Sequence, residues 1–159
     1  MKLLIMETLV KLNQKQVLLD LKASDRFAAL TEIIQHLVEL GDIPSASAES
    51  INLALAEREE NTTFAVGKNI AIPHINGTDL PECIFAYARS QEGIDFGACD
   101  SGLVHHVFLA LIPEEKKCGW LKTLSRSAKA LCDCDLREQL MSTTDNDEAS
   151  SLLKEYLMS

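Results

Sequence analysis

The feature that most restricts how this chain can fold is the run Leu103-Val104-His105-His106-Val107-Phe108-Leu109-Ala110-Leu111-Ile112, closed by Pro113. A strand with one wet face alternates apolar and polar residues, whereas a strand covered on both faces reads as an almost unbroken apolar stretch. This run is of the second kind and predicts a central strand with helices on both sides. Pro113 has no N–H for a ladder and ends it. His105 and His106 are consecutive and point to opposite faces, one toward a core or a site and the other to the far side.

The covering helices are legible as apolar stripes. Phe27, Leu30, Ile33, Ile34, Leu37 and Leu40 recur at helical spacing between Ser24, a candidate N-cap, and Gly41, placed for a left-handed terminal turn. His36 falls among the polar positions of that helix and reads as a solvated surface residue. A second helix starts at Ser45 or Ser47, carries Ile51, Leu53, Leu55 and Ala56 on its apolar face and ends near Arg58. A third runs from 116 or 117 to 131, with Trp120, Leu121, Leu124, Ala128 and Leu131 facing inward. A short helix from Asp133 or Asp135 through Met141 follows, and Thr144-x-x-Asp147 has the form of a capping box for a last helix over 147–157. Strands are expected over 17–21 and 83–89, with a turn at 91–93, a short extended piece over 94–96, and a loop marked by Asn76-Gly77 and Pro81. The hairpin-length interval between 89 and 94 permits an antiparallel pair. The expected fold is therefore α/β: a single-domain sandwich over 1–159, with a mixed central β-sheet flanked by helices on both faces and 1–16 as a short helix or loose N-terminal arm.

Charge narrows the partners. The formal net charge of −9 disfavours non-specific binding to nucleic acid or to an anionic membrane and suits a basic protein partner. No apolar run is long enough to span a bilayer, and Glu7 and Lys11 interrupt the faintly signal-like start, so neither membrane insertion nor a signal peptide is expected. The five cysteines (83, 99, 118, 132 and 134) are odd in number and irregular in spacing, which predicts reduced thiols used as small core residues and no zinc site.

Chemistry concentrates between Arg58 and His74: Arg58-Glu59-Glu60-Asn61-Thr62-Thr63-Phe64-Ala65-Val66-Gly67-Lys68-Asn69-Ile70-Ala71-Ile72-Pro73-His74. Pro73 marks a strand end or edge, and His74 is the first residue beyond it. Arg58 falls at a helix C-terminus, where a cation is favoured, and its planar fork can hold two phosphate oxygens at once. Glu59 and Glu60 read as solvated or paired charges. No Gly-x-x-x-x-Gly-Lys-Ser/Thr loop is present, which argues against a direct ATP kinase.

The Arg58-Glu59 pair followed by Gly67-Lys68-Asn69-Ile70-Ala71-Ile72-Pro73-His74, together with the opening Leu18-Leu19-Asp20-Leu21-Lys22-Ala23-Ser24 and the central Val104–Pro113 strand, resembles the fructose/mannitol-type EIIA domains of the bacterial phosphoenolpyruvate-dependent phosphotransferase system and their nitrogen-regulatory relatives. The resemblance extends over nearly the whole chain. It implies a cytoplasmic phosphohistidine relay without cofactor or metal, in which His74 accepts a phosphoryl group from an HPr-type phosphocarrier and yields it to a downstream EIIB protein or displays it to a regulatory target. It further implies that Arg58 holds the phosphoryl group, with the Thr63 hydroxyl and the backbone of the Gly67 turn as phosphate-binding groups.

The sequence departs from the family pattern in two places. Where Ser-Thr-Gly and Gly-x-Gly are expected, this chain has Thr63-Phe64-Ala65 and Gly67-Lys68-Asn69. Asn tolerates positive φ and can preserve the second turn. Where a second His is expected early in the helix after the central strand, Trp120-Leu121 stands instead, leaving Trp120 and His105 as candidates for a second position at the site. Trp120 either donates its single N–H there or packs on the apolar face of its helix. No membrane or IIB-type domain is recognisable within these residues, which favours a regulatory over a sugar-uptake role. The altered turn keeps a third reading open, a degenerate homologue that binds partners without transferring phosphate.

Overall fold

The computed structural model of the protein describes residues 12–116 and 120–159. The signal-like start and most of the proposed N-terminal arm, up to residue 11, lie outside these residues, as does the head of the third helix at 117–119. The elements are β1 (Val17–Leu18), α1 (Arg26–Glu39), α2 (Ser45–Asn61), β2 (Ala65–Gly67), β3 (Ile70–Ala71), β4 (His74–Thr78), β5 (Ile84–Ile94), β6 (Val104–Pro113), α3 (Trp120–Leu131), α4 (Cys134–Ser142) and α5 (Asn146–Met158), with 3-10 turns at Gln14–Gln16 and Glu114–Lys116.

β6 is the centre, as its apolar run predicts. β5 pairs antiparallel along one edge, β3 and β4 pair parallel along the other, and the sheet runs β1-β5-β6-β3-β2 with β4 also on β6. One face of β6 presents Val107, Leu109 and Leu111 to Ile33, Ile34 and Leu37 of α1 and Ile51 and Leu55 of α2. The other presents Phe108, Ala110 and Ile112 to Leu131 of α3, Leu136 and Leu140 of α4, and Leu153 and Leu157 of α5. The mixed sheet with helices on both faces is the expected architecture.

The edge carrying β3 and β4 positions the site. Ile70 pairs with His106 and His74 with Ala110, the same offset, so 70–76 is one strand line along β6 interrupted only at Ile72-Pro73. The Pro73 carbonyl still accepts from the Ala110 N–H at 2.9 Å, which holds the line across a residue that cannot donate. Pro73 thus falls between the end of β3 and the start of β4, which among the described residues pairs only with β6, as expected of a strand end or edge, whereas the loop expected at Asn76-Gly77 is strand. The edge of β6 offers partners as far as Pro113, and Gly77, at φ +79°, takes up a register shift between Asn76 and Thr78 rather than a reversal.

Other expectations shift for local reasons. Asp25, not Ser24, caps α1 by accepting from the Ala28 N–H, and Asp145, not Thr144, caps α5 by accepting from Asp147. β5 runs through 91–93 instead of turning there, and Gly93 at φ +88° absorbs the irregularity. Leu53 is 59% exposed, so the buried line of α2 is Ile51, Leu55 and Glu59, one residue per turn. Residues 12–16 are no loose arm, because Leu12 is buried and Gln16 donates to Asp42 at 2.8 Å. His36 is half-buried and its Nε2–H donates to the Lys15 carbonyl, tying that turn to α1. Among the described cysteines, Cys99, Cys132 and Cys134 are exposed rather than in the core, while Cys83 is half-buried against the core that holds Phe85 and Phe108.

Candidate functional site

His74 opens β4 at the edge of the sheet, half-buried between the two cores. Its Nδ1 lies 2.7 Å from the Ile72 carbonyl oxygen. A carbonyl can only accept, so the proton sits on Nδ1 and Nε2 carries the free lone pair. Two aromatic rings flank the imidazole. Phe64, from the turn before β2, stands with ring centroids 5.4 Å apart at 59°, and Trp120, at the start of α3, stands at 5.5 Å and 35°. Burial against these rings pulls the imidazole below its ordinary pKa, the Ile72 carbonyl opposes that shift, and the Arg58 charge adds to it. The shift favours the neutral ring, with its lone pair on Nε2.

Arg58 lies in the last turn of α2, exposed, near enough for its charge to act on His74, and forms no ion pair among the described residues. It also lines a cleft of about 480 Å³ between α2 and β4 with Asn61, Asn76 and Thr78. His74, Arg58 and Trp120 are thus brought into one neighbourhood.

The remaining candidates are placed elsewhere or are already engaged. The single Thr63 hydroxyl proton faces Glu59 Oε1 at 2.7 Å and the Phe96 carbonyl at 2.9 Å, and its oxygen accepts from the Ala65 N–H. Thr63 therefore supports the turn rather than presenting a free donor. Gly67 pairs with Ile70, which pairs with His106, four residues along β6 from the partner of His74. That separation is about 13 Å at the usual rise per strand residue. Gly67, Lys68 and Asn69 all take positive φ, so Asn69 does preserve the turn. The amide that the turn offers, Lys68 N–H, is bound by the Asp100 carboxylate at 3.0 Å, and this contact together with the Gly102 N–H holds the Asp100 pKa low. The anion at this turn is the chain's own. His105 donates from Nδ1 to the Ser90 carbonyl at 2.8 Å, at the same remote end.

Of the two readings open for Glu59, solvated or paired, the structure shows the second. Glu59 is buried, with 1% of its surface exposed. Its carboxylate accepts from the Phe64 N–H at 2.6 Å, from Thr63, and from Arg26 at 3.4 Å. It is a paired charge and not a solvated one. The signal was present: Glu59 continues the Ile51–Leu55 line by one helical turn. His106, on the opposite face of β6 from His105, is buried and shares a 2.7 Å hydrogen bond with the Tyr87 hydroxyl. Burial, then the charges of His105, Arg137 and Arg89, push its pKa down to about 4.

Comparison with known proteins shows the family and the fold. The family described as phosphoenolpyruvate-dependent sugar phosphotransferase system, EIIA 2, matches residues 11–156, and the chain belongs to that family. A nitrogen regulatory protein of Bradyrhizobium diazoefficiens is 33% identical over 84% of this chain and 85% of its own length. A fructose-specific EIIA component of Haloferax volcanii is 35% identical over 65% of this chain and 68% of its own. In fold, the chain superposes on the nitrogen regulatory protein IIA-Ntr of Neisseria meningitidis with a TM-score of 0.81 at 24% identity, covering 91% of this chain and 97% of that one. Mannitol IIA of Escherichia coli, solved in complex with phosphorylated IIB, gives a TM-score of 0.73 at 23% identity over 91% and 98% of the two chains. Membership of this family makes the protein a component of phosphoryl relay or of its regulation.

Proposed function

We propose that His74 accepts a phosphoryl group on Nε2 from an HPr-type phosphocarrier, and that the protein, acting in the cytoplasm, then passes it to an EIIB-type acceptor or displays it to a regulatory target. The observation that carries this reading is the 2.7 Å contact from His74 Nδ1 to the Ile72 carbonyl, which fixes the tautomer and leaves the lone pair on Nε2. The Nε2 lone pair forms the new N–P bond, the bond from phosphorus to the donor's imidazole breaks, and that electron pair returns to the donor. Nδ1 keeps its proton throughout, so the phosphorylated ring leaves as neutral imidazole in the onward step. Phosphoryl transfer calls mainly for in-line positioning and for charge stabilisation at the equatorial oxygens. Arg58 supplies the charge and the Trp120 indole N–H a donor. Thr63 acts through the turn that carries Phe64, and Gly67 shapes a hairpin away from the transfer.

The nitrogen regulatory relative matches over more of both chains than the fructose-specific one, which favours the regulatory branch of this reading. The test is incubation with phosphoenolpyruvate, enzyme I and HPr, followed by measurement of acid-labile phosphate. Labelling is expected in the wild type and lost in His74→Ala with an unchanged circular dichroism spectrum. Labelling that survives in His74→Ala overturns the assignment, and no labelling of the wild type leaves a partner-binding homologue that does not transfer.

A further inference from the structure

Between the residue whose charge acts on His74 and the residue whose ring packs on it lies one buried carboxylate. Arg58 immediately precedes Glu59, and Phe64 follows it after one short turn. Glu59 Oε2 accepts the Phe64 N–H at 2.6 Å, and Oε1 accepts from the Thr63 hydroxyl at 2.7 Å and from Arg26 Nη1 at 3.4 Å. The Phe96 carbonyl is a second anchor, accepting from Arg26 at 3.2 Å and from Thr63 at 2.9 Å. The end of α2, the start of α1 and the turn before β2 therefore meet on one carboxylate, and the segment after β5 joins them through the same Arg26 and Thr63. Each of its oxygens has a partner, as a buried charge requires. The apolar core alone does not call for a charge here, since a leucine would extend the Ile51–Leu55 line. What the carboxylate adds is direction: it fixes the backbone of Phe64, and with it the ring 5.4 Å from His74.

We infer that Glu59 is a positioning residue for the phosphoryl acceptor, locking Phe64 against the His74 imidazole and setting the end of α2 from which Arg58 acts. Glu59 touches neither His74 nor, on this reading, the phosphoryl group; it works through Phe64 and the helix end. The inference rests on His74 as the acceptor. It goes further in assigning the ring's desolvation and aim to a residue with no contact to it. Among the described residues, Arg58 is the charged group acting on the imidazole, and the ring also meets the Ile72 carbonyl and the uncharged side chains of Phe64 and Trp120.

The test compares Glu59→Gln, Glu59→Leu, Phe64→Leu and the double variant Glu59→Gln/Phe64→Leu. Arg89→Gln serves as the control, because it breaks a buried network of similar size beneath the other core. The readouts are the His74 titration by NMR and the kinetics of phosphoryl acceptance from phospho-HPr. With Glu59→Gln the imidazole pKa is expected to rise toward its ordinary value and the maximal rate to fall about tenfold with KM little changed. Phe64→Leu should give the same pair of changes and the double variant no more than either, whereas Arg89→Gln should leave the His74 titration in place. Glu59→Gln keeps the test open if Glu59→Leu fails to fold. An unmoved His74 titration in Glu59→Gln, or one moved equally by Arg89→Gln, overturns the inference and reduces Glu59 to a stability residue. A wild type that is not labelled at His74 defeats the underlying reading instead.

Discussion

On the proposed reading, four neighbours prepare His74 as the nucleophile. The Ile72 carbonyl accepts the Nδ1–H, the Phe64 and Trp120 rings shield the imidazole from water, and Arg58 disfavours the imidazolium. The pH dependence follows with a definite sign. An imidazole whose pKa lies below about 6.5 is more than half neutral at that pH and almost wholly neutral a unit higher. The rate of phosphoryl acceptance should therefore be flat above about pH 7.5 and fall on acidification with a midpoint below about 6.5. Replacing Trp120, whose indole does not titrate near neutrality, by His should add a second ionisation to the profile. Superimposable profiles in wild type and Trp120→His would mean that the indole has no bearing on the reaction. For Arg58 the expectation concerns shape more than charge. Arg58→Lys keeps the cation but loses the planar fork, so transfer should slow about tenfold or more while thermal stability barely changes. A rate within a factor of two of wild type would make Arg58 a surface charge.

Among the elements, those legible in the sequence were the ones whose burial leaves a periodic trace. The β6 run, the α1 stripe and the Gly41 stop are such traces, and they sufficed for the mixed sheet with helices on both faces. What failed to show was decided by long-range pairing. Nothing local says that a further strand resumes beside β6 directly after Pro73, because the edge of β6 that pairs with it lies more than thirty residues away in sequence. Nor does Gly67 announce that its turn closes on Asp100 instead of on a phosphate. That placement is testable: Gly67→Ala forces a side chain into φ +88° with its Cβ 3.2 Å from Asp100 Oδ2. It should cost about 1–2 kcal/mol in urea unfolding yet leave phosphoryl acceptance within a factor of two. A large loss of transfer at unchanged stability would return the turn to the phosphate site. The histidines divide the same way. Alternation put His105 and His106 on opposite faces, but that His106 is sealed against Tyr87 is a tertiary fact. Its folded pKa of about 4 against about 6.5 unfolded means that the unfolded chain binds more protons between those values. Stability should therefore decline as pH falls from about 6.5 to about 4, by up to roughly 3 kcal/mol from this residue. Urea titrations at pH 7 and 4.5 should show a smaller decline in His106→Gln than in wild type, and equal declines would mean that His106 does not contribute.

At the scale of the whole molecule, the fold brings two independent cores together along one sheet and sets the His74 imidazole at the edge where they meet. Phe64 belongs to the core beneath α1 and α2, Trp120 packs against the core beneath α3 to α5, and His74 lies between them on a strand that neither core alone would fix. The net charge of −9 suits a basic phosphocarrier, so acceptance from HPr should weaken with rising salt. The central claim is that Nε2 of His74 carries the phosphoryl group while Nδ1 keeps its proton on the Ile72 carbonyl. The most direct measurement is NMR of the protein labelled with 15N in its imidazoles and phosphorylated by phosphoenolpyruvate, enzyme I and HPr. The predicted result is phosphorus coupling to Nε2 of His74, with a protonated Nδ1. Coupling to Nδ1, or a phosphorylated ring at any other histidine, would contradict the account.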